Sequence, residues 1–277
     1  MKFSEKLDLA WTESDSLLCV GLDPDISRVP ESLQKDPQGL FKFCQAIVDA
    51  TGDLVCAFKP QIACFSSARA EAQLEELIAH IHRRWPGVTV ILDAKRGDIG
   101  STAEHYAREV FERYRADAVT LSPYMGFDSI EPYLAYADKG QILLCRTSNP
   151  GGDDLQMRRL AEGPFLFEQV ARLAAGPWNT SGQLGLVVGA TYPEQLASVR
   201  AIAPNLPILV PGIGAQGGDI QASVKAGIDA RGRGMIVSSS RAILYAGAGA
   251  RFQEAARTAA IGARDALRAA VKLARAT

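Results

Sequence analysis

Short apolar, β-rich runs recur along the chain, and a stretch of helical periodicity follows most of them. The runs that read as strands are 17–22, 54–59, 88–93, 116–121, 141–147, 184–188, 208–210 and 235–237. Apolar runs this short and bounded by turns fit strands buried on both faces. Helical patterns lie at 37–51, 67–85, 102–114, 129–137, 164–175, 193–203 and 218–226. A last helix is predicted at about 250–274, with Phe252, Ala256, Ala259, Ala263, Leu267, Ala270 and Leu273 as its apolar stripe and its arginines facing away. Eight strand–helix units without a break in composition predict an α/β fold, a single (β/α)8 TIM barrel spanning 1–277. The alternative, a doubly wound sheet, would carry Gly-x-Gly-x-x-Gly after its first strand, and this chain does not.

Length and composition agree with the barrel. The chain has 277 residues, 47% of them hydrophobic, close to the size of one such domain. Thirty basic residues balance thirty-one acidic ones, so no nucleic-acid or membrane partner is implied. No apolar run approaches the ~18 residues of a membrane span, and the first residues lack a secretory apolar stretch. The five cysteines include no Cys-x-x-Cys, and three sit in apolar runs, which points to a reducing, cytoplasmic setting. His80, His82 and His105 fall in helical patterns, and no metal-binding trio stands out.

The third strand changes the picture. It runs from Val88 to Asp93 and turns abruptly polar: Asp93-Ala94-Lys95-Arg96-Gly97-Asp98. On an extended chain Asp93 and Lys95 point the same way, roughly 6–7 Å apart. Ser101-Thr102-Ala103-Glu104 has the capping-box spacing that starts a helix. An ion-paired strand end is common and contributes little. Three alternating charges in six residues after a buried strand favour a working site, with the lysine kept protonated and the carboxylates ionised.

In a barrel, chemistry collects at the carboxyl ends of the strands. Here those ends supply Asp23 after strand one, Lys59 after strand two and Ser148 after strand five. Strand seven ends Pro211-Gly212-Ile213-Gly214-Ala215-Gln216-Gly217-Gly218, and strand eight ends Ser238-Ser239-Ser240-Arg241. Glycine-rich turns expose backbone N–H groups to an anion, and a guanidinium suits phosphate oxygens. Ser148 to Gly163 forms a long polar loop, either a lid or a tolerated insertion.

These segments resemble the orotidine 5'-phosphate decarboxylase family, in its longer bacterial branch. Leu92 to Thr102 resembles the family signature, and Pro211 to Gly218 its phosphate-gripping loop. Gly21-Leu22-Asp23-Pro24, Phe58-Lys59-Pro60 and Thr147-Ser148-Asn149-Pro150-Gly151 resemble its other active-site strand ends. The resemblance implies decarboxylation of orotidine 5'-monophosphate to uridine 5'-monophosphate, with no metal or organic cofactor. Lys95 would deliver a proton to C6, Asp93 would lie beside the departing carboxylate, and Lys59 would hold Asp93 and a ribose hydroxyl. Asp98 and Thr102 would reach into the neighbouring subunit's site, which makes a homodimer the active unit, and Ile99 would add to the substrate contacts. Asp23 would bind ribose and Ser148 the pyrimidine edge. Pro211, Ile213, Gln216, Ser240 and Arg241 would surround the phosphate.

Rival readings differ at named positions. A magnesium-dependent sugar-phosphate decarboxylase or synthase of the same superfamily would place a glutamate where Lys59 stands. A catalytically inactive nucleotide-binding barrel would tolerate loss of Lys95 or Asp98, and both are present. A phosphate-binding isomerase would need a glutamate or cysteine base at a strand end.

Overall fold

Parallel β-strands bury both faces, so their sequences carry little alternation, and the eight apolar runs pair in this way. The computed structural model describes residues 1–161, 163–212 and 219–276. Among them lie β1 (Leu18–Leu22), β2 (Ala57–Pro60), β3 (Thr89–Arg96), β4 (Ala118–Leu121), β5 (Gly140–Arg146), β6 (Leu184–Val188), β7 (Ile208–Pro211) and β8 (Met235–Ser239). Each pairs in parallel with the next, and β8 returns to β1 with Cys19 opposite Ser238, closing the barrel. The register slips twice, between Leu92 and Arg96 in β3 and between Leu144 and Arg146 in β5. Both slips sit where strands approach the functional end.

Helices cover the outside through one apolar face each. The helix Glu71–Arg84 buries Leu74, Leu77, Ile78 and Ile81, at steps of three, one and three. Each such side chain contributes about 1.5–3 kcal/mol when fully buried. The helix Phe252–Ala276 buries Phe252, Ala256, Ala260, Leu267 and Ala270. Ala260 belongs to this face, whereas Leu273 is 52% exposed, against the predicted stripe. At 3.6 residues per turn Leu273 falls about a sixth of a turn outside the buried arc.

The longest unpredicted element is a helix of 12 residues. The helix Phe3–Ser14 lies across the amino ends of the strands and buries Phe3, Leu7, Ala10 and Trp11. Trp11 donates its indole N–H to the Met235 carbonyl at 2.9 Å, and Gln183 accepts the Ser4 N–H at 3.0 Å. Position 140 has room only for glycine, because a Cβ there would lie 2.6 Å from the Phe3 ring. The capping box at Ser101 does not form either. The helix Gly100–Arg108 starts two residues earlier with Ile99 at its N-cap, so Ser101 is already inside it.

All five cysteines are free thiols, and four of them are buried. Burial pushes the Cys19 thiol up to about 12, which leaves it unreactive.

Candidate active site

β2 and β3 bring Lys59 and Asp93 side by side near the carboxyl end of the barrel. Lys59 Nζ donates to Asp93 Oδ2 at 2.8 Å, and Lys95 Nζ donates to Asp93 Oδ1 at 2.6 Å. Each oxygen of one buried carboxylate therefore carries an ammonium. Burial alone would raise the Asp93 pKa, but the charges of Lys59 and Lys95 outweigh it and hold the carboxyl well below the usual range. Burial also works against the Lys59 ammonium, and Asp93 and Asp23 together overcome it, so Lys59 stays charged well past its ordinary range. Lys95 differs from Lys59 in access: its side chain is 49% exposed at the mouth, against 7% for Lys59.

The backbone at Lys95 is unusual. Its φ is +45°, in the left-handed region that a residue with a Cβ enters at a cost of order 1–3 kcal/mol. This is where the β3–β4 register slips, and the Thr120 hydroxyl accepts the N–H groups of both Ala94 and Lys95, at 3.1 and 3.0 Å.

Asp23, just beyond β1, is the second carboxylate. Its Oδ2 accepts the Ser240 hydroxyl at 2.7 Å. Its Oδ1 lies 3.9 Å from Lys59 Nζ and is buried with no hydrogen-bond partner among the described residues. A buried acceptor of this kind is open to a hydrogen-bond donor from outside the chain.

Ser240 precedes the short helix Arg241–Leu244 after β8, and Arg241 is exposed. Pro211 ends β7 half-buried, and Gly212 follows at φ +95°. Ile213 and Gln216 lie outside the described residues. Ser148 follows β5 and packs against Gly189, where a Cβ would lie 2.8 Å from the serine's own.

The structure gathers Lys59, Asp93, Lys95 and Asp23, but not Asp98 with them. Asp98 sits beyond β3 and accepts the N–H of Ile99 at 2.9 Å. Ile99 and Thr102 are exposed. Within one chain the charged cluster is the Asp93–Lys95 pair with Lys59 as third member.

Several supporting residues escaped the sequence reading. Arg146 is 1% exposed; its guanidinium lies 4.0 Å from the Tyr192 ring centre and donates to Asp153 at 2.6 Å. Gln156 accepts the Thr147 N–H at 2.8 Å and donates to the Thr147 hydroxyl at 2.9 Å. These contacts fasten the root of the loop after β5. A charge inside an apolar run was the available signal for Arg146. Thr120 gave none, because threonine is common in strands.

A closed parallel barrel with a lysine–carboxylate–lysine row at its carboxyl end defines a (β/α)8 enzyme. The chain belongs to the family described as orotidine 5'-phosphate decarboxylase / HUMPS, whose model matches residues 16–257. Among its relatives, the orotidine 5'-phosphate decarboxylase of Azoarcus sp. (strain BH72) is 64% identical over 97% of this chain and 99% of its own. That of Ralstonia pickettii (strain 12J) is 63% identical over 96% and 97%. The solved structure of Leishmania donovani OMP decarboxylase superposes with a TM-score of 0.85 at 40% identity, covering 98% of this chain and 99% of that one.

Proposed function

We propose that this chain decarboxylates orotidine 5'-monophosphate to uridine 5'-monophosphate, within one barrel domain and without a metal or organic cofactor. The observation that carries the reading is the Asp93 carboxylate held between Lys59 and Lys95, with the half-exposed Lys95 facing the mouth. Two relatives above 60% identity that bear this activity as their name support it.

Loss of carbon dioxide leaves a carbanion in the plane of the pyrimidine, with little delocalisation. The Lys95 ammonium stabilises that charge as it forms and then protonates C6. Preorganisation matters because the charge is already in place before the bond breaks. Asp93 lies beside the departing carboxylate, and Lys59 keeps it ionised. The open Oδ1 of Asp23 takes a ribose hydroxyl, with Lys59 beside it. Ser148 meets the pyrimidine edge. Pro211, Ile213, Gln216, Ser240 and Arg241 surround the phosphate, whose binding energy drives loop closure and raises turnover as well as affinity.

The active unit is a homodimer in which Asp98, Ile99 and Thr102 complete the partner's site. The exposure of Thr102 and of the apolar side chains there and on a nearby turn, Ile99 at 48%, Tyr124 at 78% and Met125 at 46%, supports this. The setting is the cytoplasm, in keeping with five free thiols.

The test follows orotidine 5'-monophosphate by ultraviolet absorbance with purified protein and excess chelator. Full turnover is expected. Inactive chelated protein that magnesium restores would favour a sugar-phosphate enzyme of the same fold. Tight nucleotide binding without turnover under any condition would favour an inactive binding barrel.

A further inference from the structure

Thr120 stands in the middle of an apolar strand and takes none of the roles above. It is 1% exposed, yet its hydroxyl has three partners. It accepts the N–H groups of Ala94 at 3.1 Å and Lys95 at 3.0 Å, and it lies 2.9 Å from Asp93 Oδ1. A hydroxyl has one proton and two lone pairs, so its capacity is used up. Amide N–H groups only donate. The single hydroxyl proton is therefore directed at Asp93, and the chemistry of the partners fixes that orientation.

These partners sit where β3 leaves its register with β4. Leu92 is opposite Val119, and the next pair is Arg96 opposite Leu121. Across the gap the Thr120 hydroxyl serves as acceptor for two consecutive amides. One of them belongs to Lys95, the residue held at φ +45°. The same hydroxyl also holds the Asp93 oxygen that the Lys95 ammonium contacts at 2.6 Å. Backbone and side chain of Lys95 are thus tied to one atom, directly at one end and through Asp93 at the other.

We infer that Thr120 is a positioning residue of the decarboxylation site: its hydroxyl holds the left-handed turn at Lys95 and aims the Lys95 ammonium by fixing Asp93. This rests on the proposed role of Lys95 as proton donor. Without the hydroxyl, the turn loses its acceptor and Asp93 loses one of the three hydrogen bonds that orient it. The ground-state contacts to ribose and phosphate come from other strands and are untouched.

The test compares wild type, Thr120→Val and Thr120→Ser in steady-state decarboxylation of orotidine 5'-monophosphate. Valine keeps the branched shape and removes the hydroxyl; serine keeps the hydroxyl. Thr120→Val should lower kcat on the order of 10²-fold, the scale of a ~1 Å misplacement, with KM little changed. Thr120→Ser should restore most of kcat. Amide hydrogen exchange at Ala94 and Lys95 reads the clamp without reference to activity, and it should quicken in the valine variant alone. Should Thr120→Val fail to fold, Thr120→Ala is read against serine in the same way. An active wild type whose folded valine variant keeps its kcat would overturn the inference. So would equal losses in the serine and valine variants. A wild type that does not turn over would sink the functional reading itself, and the exchange data would still report whether the clamp exists.

Discussion

Ser240 donates its hydroxyl proton to Asp23 at 2.7 Å across the seam where β8 closes onto β1. The approach requires Gly21, where a Cβ would lie 2.9 Å from the Ser240 Cβ. One oxygen of Asp23 is thereby fixed and the other left open. Ser240→Ala should loosen Asp23 and raise KM for orotidine 5'-monophosphate about tenfold, the scale of a hydrogen bond to a charged group. The kcat should fall less. Steady-state kinetics checks this, and an unchanged KM would show that Asp23 needs no such support.

Lys95→Ala should abolish turnover in a folded protein. The side chain is half-exposed at the mouth, so truncation leaves the core intact. Removing a preplaced charge-stabilising donor costs at least ~3 kcal/mol of barrier. Thermal unfolding close to wild type, together with no detectable product, is the expected pair of results. Near-normal turnover would refute the assignment.

Asp98 and Lys95 offer a direct test of the dimer. Mixed under conditions that exchange subunits, inactive Lys95→Ala and Asp98→Ala proteins form hybrid dimers with one site intact and one doubly deficient. Random exchange makes about half the dimers hybrid, so roughly a quarter of all sites should regain activity. Full exchange verified by mass spectrometry with no recovery would place Asp98 in its own chain's site.

Asp117 predicts an acid-sensitive clasp at the opposite end of the barrel. It pairs with Lys6 at 2.7 Å, lies 3.3 Å from His82, and accepts the Val90 N–H at 2.8 Å. Burial pushes its carboxyl up, but the hydrogen bond from His82 and the charge of Lys6 prevail and lower it to about 2. A folded value below the ordinary ~3.9 means the stabilisation is complete above that pH and fades as pH falls toward about 2. Asp117→Asn should therefore be less stable by about 2 kcal/mol near neutrality, with the gap closing in acid. Urea unfolding across that range measures it. A gap independent of pH would assign the loss to packing.

The barrel was legible because strands buried on both faces leave dense apolar runs, as in Leu184–Val188, whose bounds the structure reproduces. Asp93 and Lys59 were legible because a charge that closes such a run is costly to bury and persists only where it meets a partner. Thr120 was not, since its importance depends on a register slip that no local pattern encodes. The helix Phe3–Ser14 was missed although Phe3, Leu7, Ala10 and Trp11 share a face; its partners lie more than a hundred residues away. The left-handed backbone at Lys95, which precedes the turn carrying Asp98, was not legible, since no local pattern encodes it.

The helix Phe3–Ser14 also sets an order of events. Its anchors are Asp117 ahead of β4, Gln183 ahead of β6 and Met235 at the start of β8. This helix therefore finds its final seat only after β8 has been made. Until then its tryptophan waits without a carbonyl to bond, and the growing sheet keeps an open floor. Contacts of such long sequence separation slow the search for the native state. Docking of Trp11 against the Met235 carbonyl is thus a latch that can engage only once β8 is in place.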